Sequence, residues 1–346
     1  MNRKKIINFI FILLIVSACS NKDDSNYKII YEQKVITHEV TKNKERKQTT
    51  IAIIPKVINI PYFNAVEEGV NEAAKVLDVH VIFEGPVIAN AQQQIAIIEK
   101  MIAKKVDVIA VSANDPDTLV PVLKKAQKQS IKVITWDADT KPEARAYFVN
   151  MVNPETLGRH LMDMLAWNTK EKGDFVIMTG AYSASNLNEW LKWIQVQQKE
   201  YYPDMNLVDI VATDDNPHKA YMLATKLLKN NPNLKGIIGN SSVGPPAAAQ
   251  AVKENGKSGK VSVVGLSSPN SMNVYLKEGS AQIITLWSPK KLGFLTVAIA
   301  NNISEGLYPY DKQEIVGVGN IRLLDEMVIM GEPIDFTKEN VDQYDF

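Results

Sequence analysis

Acidic, amide and hydroxyl side chains follow several apolar segments of this sequence, at the points where those segments end. Asp137 and Asp139 come just after the apolar segment 132–135, and Asn114 and Asp115 come just after another one. A carboxylate can accept two hydrogen bonds from adjacent hydroxyls, and an amide both donates and accepts, as a hydroxyl does. Residues of these types in this pattern predict a binding site for a small polyhydroxylated molecule.

Aromatic residues stand beside these polar groups, and an aromatic ring can cover the apolar C–H face of a polyol. We therefore predict a ligand-binding set made of Lys56, Tyr62, Phe63, Asn114, Asp115, Asp137, Asp139, Asn186, Asn188, Asn240, Ser242, Ser267 and Trp287. Asp137 is the strongest of these candidates, because packing alone does not explain Trp-Asp-Ala-Asp at the end of an apolar strand. Polar residues in such loops are most often turn formers or helix caps, and Asp115 and Ser267 fit that alternative equally well.

The apolar segments alternate between two patterns. Continuous runs such as Ile51-Ala-Ile-Ile54 are typical of strands that are buried on both faces of a parallel sheet, and 63–77 has helical spacing. This βα order predicts a doubly wound parallel sheet, and it starts again near residue 156. We therefore predict two Rossmann-like α/β lobes whose strand ends line a shared cleft, because ligands of such sheets bind there.

The bounds of the predicted strands and helices follow from the same patterns of apolar residues. The predicted strands are 51–54, 79–83, 106–111, 132–135, 146–149, 175–178, 207–211, 236–238, 261–264 and 283–286. The predicted helices are 63–77, 89–104, 115–129, 156–169, 188–200, 217–230, 246–255 and 289–305, with a weak helix start at Thr337.

The N-terminal segment predicts an export signal. Three basic residues precede the apolar run 6–16, which is shorter than the roughly 20 residues that span a bilayer. The run ends in Val16-Ser-Ala-Cys19, which resembles a bacterial lipoprotein cleavage box and implies lipidation of Cys19. An ordinary signal peptide with a chance cysteine is the alternative. We expect a signal peptide over 1–18, a lipid-anchored polar tether over 19–49, and a location at the extracytoplasmic face of the cell envelope.

Composition argues against several other classes of protein. Lys plus Arg equals Asp plus Glu at 39 each, and such a neutral chain disfavours nucleic acid as a partner. The single cysteine allows no disulfide within one chain, and the four histidines have no metal-ligand spacing. We expect no metal and no cofactor.

Several motifs resemble those of a known family. They are Ile-Ile-Pro-Lys56, Pro61-Tyr-Phe-Asn64, Thr135-Trp-Asp-Ala-Asp-Thr-Lys-Pro-Glu143, Ala247-Ala-Ala-Gln250, Gly265-Leu-Ser-Ser-Pro-Asn-Ser-Met272 and Leu286-Trp287-Ser-Pro. They resemble the periplasmic sugar-binding proteins of ABC importers (ribose-type, cluster B), especially the autoinducer-2-binding and rhamnose-binding branch. The C-terminal segment is similar to the autoinducer-2 branch, and Asp214-Asp-Asn-Pro217 is similar to the rhamnose branch.

This resemblance implies a type I periplasmic binding protein, in which three hinge strands join two lobes that close on the ligand. The implied first lobe comprises 50–151 and 288–316, and the implied second lobe comprises 152–287 and 317–346.

The resemblance also implies individual contacts. A Lys and an Asp of the autoinducer-2 binder match Lys56 and Asp137, whereas its Asp-Gln pair falls on Asn186-Leu187, and its later Pro and Ala fall on Asn240 and Ser242. Side-chain contacts at the differing positions cannot be the same, so the ligand stays open between autoinducer-2 and a rhamnose-like monosaccharide. In the broader ribose-type family, contacts fall on the positions of Phe63, Asp137, Asn240, Ser267 and Trp287.

The implied function is capture of a small sugar-like ligand for the permease subunits of an ABC transporter, by a monomer without enzymatic activity. An enzyme in the same cleft is a competing hypothesis, but the sequence has no Gly-x-Ser-x-Gly elbow and no phosphate-cradling glycine loop. A ligand-sensing protein for chemotaxis or quorum signalling, without a transport role, is the other alternative.

Overall fold

The computed structural model describes residues 48–346, so the predicted signal peptide and Cys19 lie outside the described residues. The strands are β1 (Thr50–Ile54), β2 (His80–Phe83), β3 (Val108–Val111), β4 (Lys132–Trp136), β5 (Phe148–Asn150), β6 (Gly173–Thr179), β7 (Met205–Ala212), β8 (Gly236–Asn240), β9 (Ser262–Leu266), β10 (Ile283–Leu286), β11 (Glu314–Ile315), β12 (Gly319–Asn320), β13 (Arg322–Leu324), β14 (Met327–Ile329) and β15 (Ile334–Phe336). The α-helices are α1 (Pro61–Leu77), α2 (Ala91–Ala103), α3 (Val120–Lys128), α4 (Pro154–Thr169), α5 (Ser185–Tyr201), α6 (Pro217–Asn230), α7 (Gly244–Glu254), α8 (Pro269–Glu278) and α9 (Pro289–Ser304). Short 3-10 helices cover Pro142–Ala144 and Val341–Gln343.

The first lobe is built on a seven-stranded sheet in the order β13-β14-β5-β4-β3-β1-β2. Its strands are parallel except at the β13–β14 edge. Side chains of successive residues in a strand point to opposite faces, and both faces of β1 are covered. Ile51 and Ile53 pack with residues of α1 and α9, whereas Ala52 and Ile54 pack with residues of α2 and α3. This two-sided burial explains why β1 is apolar throughout.

The second lobe is built on a six-stranded sheet in the order β15-β10-β9-β8-β6-β7, which is parallel except for β15. Helix α4 packs on α5, and α7 packs on α6 and α8, so two helical layers enclose this sheet. The repeated βα order of the sequence therefore folds into two doubly wound lobes, as predicted.

The chain crosses between the two sheets three times. The crossings lie between β5 and α4, between β10 and α9, and between β14 and β15. The family resemblance implies that 317–346 belongs to the second lobe, but β13 and β14 of that segment pair in the first sheet, where Val328 is opposite Val149. The third crossing therefore falls after Ile329. Strands of three residues are too short to produce a readable periodic pattern, which explains the difference in position.

Helices α1 and α9 pack at unusually short range on one face of the first sheet. A Cβ atom at Gly69 would lie 1.8 Å from the carbonyl oxygen of Lys290, and one at Gly293 would lie 2.1 Å from the carbonyl oxygen of Val66. Only glycine permits such an approach of two backbones. The two glycines thus fix the helix that follows β1, and with it the residues at the start of α1.

Two helices, α3 and α5, begin at other residues than predicted. Helix α3 begins at Val120 rather than at 115, because the Asp115 carboxylate accepts hydrogen bonds from the backbone N–H groups of Asp117 and Thr118 (3.0 and 2.7 Å) and forms a turn. Helix α5 begins three residues earlier than predicted, at Ser185, so Asn186 and Asn188 lie in its first turn.

Helix α8 was not predicted at all, because its Ser-Ser-Pro-Asn start resembles a loop. Ser268 is its N-cap, with Oγ accepting from the N–H of Ser271 (3.3 Å), and Pro269 is its first residue. The predicted helix start at Thr337 was wrong, since that residue follows β15 in a turn before the short 3-10 helix. None of the helices formed by residues 48–346 combines the length and apolar character of a membrane span.

Candidate functional site

A cavity lies where the two lobes face each other, beyond the carboxyl ends of the parallel strands. This is the position at which doubly wound sheets bind their ligands. The cavity is lined by Lys56, Ile60, Tyr62, Phe63, Asp137, Asn186, Leu187, Trp190, Asp215, Ser241, Ser242, Leu266, Leu286 and Trp287.

Lys56 enters this cavity from the loop between β1 and α1. Its side chain is 6% exposed, and its Nζ atom lies 3.4 Å from Oδ2 of Asp137. A buried amide holds the loop in place, because Gln94 Nε2 donates to the carbonyl oxygens of Pro55 (3.0 Å) and Ser112 (2.7 Å). Asn114 Nδ2 donates to the carbonyl oxygen of Lys56 itself (2.9 Å). The lysine is therefore fixed by its backbone as well as by its charge.

Asp137 is presented by a sharp turn directly after β4. Its φ of 60° is in the left-handed region, and the N–H of Ala138 donates to the carbonyl oxygen of Trp136 at 2.6 Å. Aspartate tolerates this conformation better than most residues, so the turn is compatible with its side chain. The carboxylate accepts hydrogen bonds from Ser112 Oγ (2.7 Å) and from the hydroxyl of Tyr62 (3.2 Å), in addition to its ion pair.

Aromatic rings form a continuous set along the cavity. Trp190 and Trp287 have ring centroids 5.7 Å apart, Trp287 and Tyr62 are 6.2 Å apart, and Tyr62 and Phe63 are 5.0 Å apart, each pair edge to face. Trp287 Nε1 donates to the Tyr62 hydroxyl (3.1 Å), which in turn donates to Asp137. Burial raises the pKa of Tyr62 well above its ordinary value, and the nearby charge of Asp137 acts in the same direction. Tyr62 is therefore neutral and acts as a donor to the carboxylate.

The cavity contains two carboxyl groups and one ammonium group. Burial would lower the pKa of Lys56, but the negative charges of Asp137 and Asp215 outweigh that effect, and the pKa is raised. Burial raises the pKa of Asp215, and the positive charge of Lys56 opposes the shift only in part. Lys56 is therefore charged at neutral pH and balances the negative charge of the cavity.

Three polar atoms on the cavity wall have no hydrogen-bond partner within residues 48–346. They are Asn186 Oδ1, Trp190 Nε1 and Ser241 Oγ, and all three are buried. A buried polar group without a partner costs free energy, and such groups in folded proteins normally bind a ligand or ordered water. The lining residues thus include donors and acceptors that are free to bind a ligand or ordered water.

Seven of the residues predicted from the sequence come together around this cavity. They are Lys56, Tyr62, Phe63, Asp137, Asn186, Ser242 and Trp287. The other six predicted residues are outside its lining: Asn114, Asp115, Asp139, Asn188, Asn240 and Ser267.

Of these six, the three that follow β3 and β4 have structural roles in the loops of the first lobe. Asn114 supports the loop of Lys56, and Asp115 forms the turn before α3. Asp139 accepts from Arg145 Nε and Nη2 (3.1 and 2.9 Å), so its carboxylate is already paired.

The other three are engaged within the second lobe. Asn188 is exposed and its Nδ2 donates to the carbonyl oxygen of Tyr182 (2.8 Å). Asn240 Nδ2 donates to the carbonyl oxygen of Leu187 (2.9 Å), and Ser267 Oγ donates to that of Ser242 (3.0 Å). These bonds shape the loops that carry the cavity wall.

The candidate set omitted Asp215, Trp190 and Ser241, which line the cavity. Asp215 follows β7 in the Asp-Asp-Asn-Pro segment, so its position at a strand end was a usable signal. Trp190 has no comparable signal, because it lies inside α5 among residues with helical spacing. Only the packing of α5 against the cleft directs it to the cavity.

Hydrogen bonds join the two lobes across the cleft. Ser183 Oγ donates to the carbonyl oxygen of Asn114 (2.7 Å), and Ser185 Oγ donates to that of Asp139 (2.9 Å). Ser183 and Ser185 belong to the second lobe, whereas their partners belong to the loops after β3 and β4 of the first lobe. The lobes are therefore closed over the cavity in this structure.

Two doubly wound lobes that are joined by three crossings and close over a cavity define a hinged ligand-binding clamp. Residues 51–307 match the model of the periplasmic binding protein domain, and the chain belongs to that family. The family consists of solute-binding proteins of transporters and is not enzymatic.

Individual relatives extend this result. The chain is 25% identical over 254 residues to the D-ribose/D-allose-binding protein of Pseudomonas aeruginosa, covering 70% of this chain and 76% of that protein. It is also 25% identical over 277 residues to the D-allose-binding periplasmic protein of Escherichia coli, covering 75% and 87%.

Solved structures are similar over most of the chain. An ABC transporter solute-binding protein of Clostridium phytofermentas with bound L-rhamnose has a TM-score of 0.81 and 28% identity, covering 86% of this chain and 98% of that chain. LsrB of Clostridium saccharobutylicum in complex with AI-2 has a TM-score of 0.82 and 26% identity, covering 86% and 100%.

Proposed function

We propose that this chain is the substrate-binding lipoprotein of an ABC transporter and captures a small sugar or sugar-like ligand in the cavity between its lobes. The observation that carries the proposal is the buried Lys56–Asp137 ion pair on the cavity wall. Hydrogen bonds connect its carboxylate to the Tyr62 hydroxyl, and that hydroxyl to Trp287. Sugars present hydroxyl groups at their edges and C–H groups on their faces. Such a wall, with charged and aromatic groups side by side, is complementary to both.

The mixed polarity of the cavity wall supports a ligand that has both hydroxyl groups and apolar surface. Ile60, Leu187 and Leu266 provide apolar surface between the polar groups. Asn186 Oδ1 and Trp190 Nε1 add one free acceptor and one free donor. A monosaccharide presents hydroxyl groups to the polar atoms and C–H groups to the apolar surface.

Autoinducer-2 and L-rhamnose are the first ligands to test, because solved structures similar over most of this chain hold them. The motifs of the sequence agree with both branches and differ from the autoinducer-2 pattern at Asn186-Leu187, Asn240 and Ser242. Curated relatives are named for D-ribose, D-allose and D-xylose, so these sugars belong in the same panel.

Delivery to a membrane permease follows from the family and from lobe closure. A ligand that binds the closed form more tightly than the open form shifts the equilibrium towards closure. The permease subunits of the transporter then recognise the closed, loaded form. A sensing role without transport needs the same closed state, and uptake of radiolabelled ligand by cells that lack the gene distinguishes the two roles.

We further propose that Cys19 carries the lipid that holds this protein at the extracytoplasmic face of the membrane. The support is the cleavage box at 16–19, which lies outside the described residues. Replacement of Cys19 by alanine is expected to release the protein from the membrane fraction, while metabolic labelling with an alkyne fatty acid is lost. Membrane retention of the unlabelled variant contradicts the anchor.

The ligand is identified by isothermal titration of residues 48–346 with autoinducer-2, L-rhamnose, D-ribose, D-allose and D-xylose, preceded by a thermal-shift screen. A ligand that binds only the folded state raises the melting temperature by mass action. We expect a shift with one compound of the panel and loss of that shift in Asp137→Ala. A folded protein that shifts with none of them contradicts the sugar-like ligand.

A further inference from the structure

Asp215 is a buried carboxylate at the cavity between the lobes. It is 7% exposed and lines the cavity between the lobes. Its carboxyl group is affected by burial and by the charges of Lys56, Asp137 and Asp214, and no group among residues 48–346 donates a hydrogen bond to it. Asp137, in the same cavity, accepts from Ser112 and Tyr62 and pairs with Lys56. A buried carboxylate that lacks donors costs free energy, which a ligand with suitable hydroxyl groups can recover.

The turn before α6 directs the two neighbouring carboxylates to opposite sides. Asp214 and Asp215 both have left-handed backbones, with φ values of 54° and 51°. The Asp214 side chain is 56% exposed and pairs with Lys219, whereas Asp215 is buried at the cavity. Two consecutive left-handed residues without glycine are a strained arrangement, and such strain is typical of functional sites.

The charges around the cavity restrict what Asp215 can bind. The groups that act on its carboxyl are Lys56, Asp137 and Asp214, and the single ammonium is already paired with Asp137 at 3.4 Å. With all groups ionised, the two carboxylates that line the cavity exceed its one ammonium by one negative charge. A second anion in this space meets repulsion and finds no free cation among the lining residues.

We propose that Asp215 is a specificity-determining residue, which accepts hydrogen bonds from hydroxyl groups of an uncharged ligand and excludes ligands that carry a carboxylate or a phosphate. This inference rests on the proposed function, because it assigns the ligand class of the same cavity. It adds a contact that the predicted ligand-binding set did not include, and it predicts that neutral sugars are bound in preference to uronic acids.

The test compares Asp215→Asn with Asp214→Asn by isothermal titration. Both variants exchange a carboxylate for an amide of the same shape in adjacent residues, so Asp214→Asn is the matched control. The panel is autoinducer-2, L-rhamnose, D-ribose, D-allose, D-xylose, D-galactose, D-glucose, D-galacturonate and D-glucuronate. We expect the tightest ligand to be neutral. Its affinity should fall about tenfold or more in Asp215→Asn, the loss expected for a hydrogen bond to a charged group, and stay unchanged in Asp214→Asn.

The melting temperature of the unliganded protein provides a second measurement. If Asp215 had only a structural role, its replacement by asparagine would not raise this temperature. Removal of a buried, unpaired charge is expected to raise the melting temperature of unliganded Asp215→Asn above that of the wild type. Unchanged affinity in Asp215→Asn, or a uronic acid as the tightest ligand, overturns the inference while leaving a sugar-binding function intact. A wild type that binds nothing in the panel contradicts the proposed function itself, and the inference falls with it.

Discussion

The Nζ atom of Lys56 lies 3.4 Å from Oδ2 of Asp137, although the two residues follow different strands of the first sheet. One residue follows β1 and the other follows β4, and β3 lies between these strands. Because all three strands are parallel, their carboxyl ends lie on one edge, and the loops that follow converge. The pair is thus a direct consequence of the doubly wound topology, and it gives the cavity its principal charged contact.

Replacement of Asp137 by asparagine is expected to remove ligand binding and to destabilise the unliganded protein. The variant keeps the shape of the side chain but leaves Lys56 without its nearest anion, and breaking a buried pair in this way costs about 3–5 kcal/mol. Urea unfolding followed by circular dichroism measures the loss. Asp117→Asn, whose side chain is 72% exposed, is the control and should behave as wild type. Wild-type stability in Asp137→Asn would show that the pair contributes nothing.

Trp287→Phe is expected to weaken ligand binding roughly fivefold, the effect of losing about 1 kcal/mol. Phenylalanine keeps an aromatic ring beside Tyr62 and Trp190 but cannot donate the hydrogen bond from Nε1 to the Tyr62 hydroxyl. Titration calorimetry with the identified ligand measures the change. Trp167→Phe provides the control, since Trp167 is exposed, and equal affinities in the two variants contradict a role for the hydrogen bond.

The stability of the unliganded protein is expected to depend on pH through Asp215. Burial raises the pKa of this carboxyl in the folded state, whereas its value in the unfolded chain is about 3.9. Between these two values the folded state binds more protons, so the free energy of unfolding falls as pH rises through that window. Asp215→Asn lacks this contribution. The difference in melting temperature between variant and wild type should therefore grow from about pH 4 up to the raised pKa of the folded state. A difference that is independent of pH contradicts the assignment.

Gly69→Ala is expected to destabilise the protein by about 1–3 kcal/mol, because overpacking at a close helix contact forces the backbones apart. The added methyl group would lie 1.8 Å from the carbonyl oxygen of Lys290 on α9. Chemical denaturation measures the loss. Gly331→Ala serves for comparison, since an added Cβ there meets no atom within 4 Å. Equal stability of the two variants would mean that α1 and α9 can separate at little cost.

The double variant Ser183→Ala/Ser185→Ala is expected to weaken ligand binding and leave the stability of the open protein unchanged. Both hydroxyls donate to carbonyl oxygens of the other lobe, at 2.7 and 2.9 Å, and these bonds exist only when the cleft is closed. Two lost hydrogen bonds of about 1 kcal/mol each reduce affinity by roughly thirtyfold. Small-angle scattering should still show closure when the variant is saturated with ligand. Saturation should require a higher ligand concentration than in the wild type. Unchanged affinity contradicts a contribution of these bonds to closure.

Several features of the site were predictable because they depend on position along the chain. Lys56, Tyr62, Phe63 and Asp137 follow strands or open a helix directly after them, and a parallel sheet brings such positions to one edge. Trp287 was predictable for the same reason, since it follows β10. Residues of the same kind at the same edge, such as Asn114 and Asp139, instead hold the loops through hydrogen bonds. Whether such a side chain points into the cavity depends on turn geometry, which residue type alone does not specify.

The sequence by itself determined the two doubly wound lobes and the strand ends that carry the candidate residues. It did so because buried parallel strands and amphipathic helices have distinct periods of hydrophobicity. Tertiary structure decided which polar side chains face the cavity, because that depends on left-handed turns, helix packing and the closure of one lobe on the other. Asp214 and Asp215 illustrate the difference: they are identical neighbours in the sequence, and only the fold makes one a surface ion-pair partner and the other a buried group at the cavity.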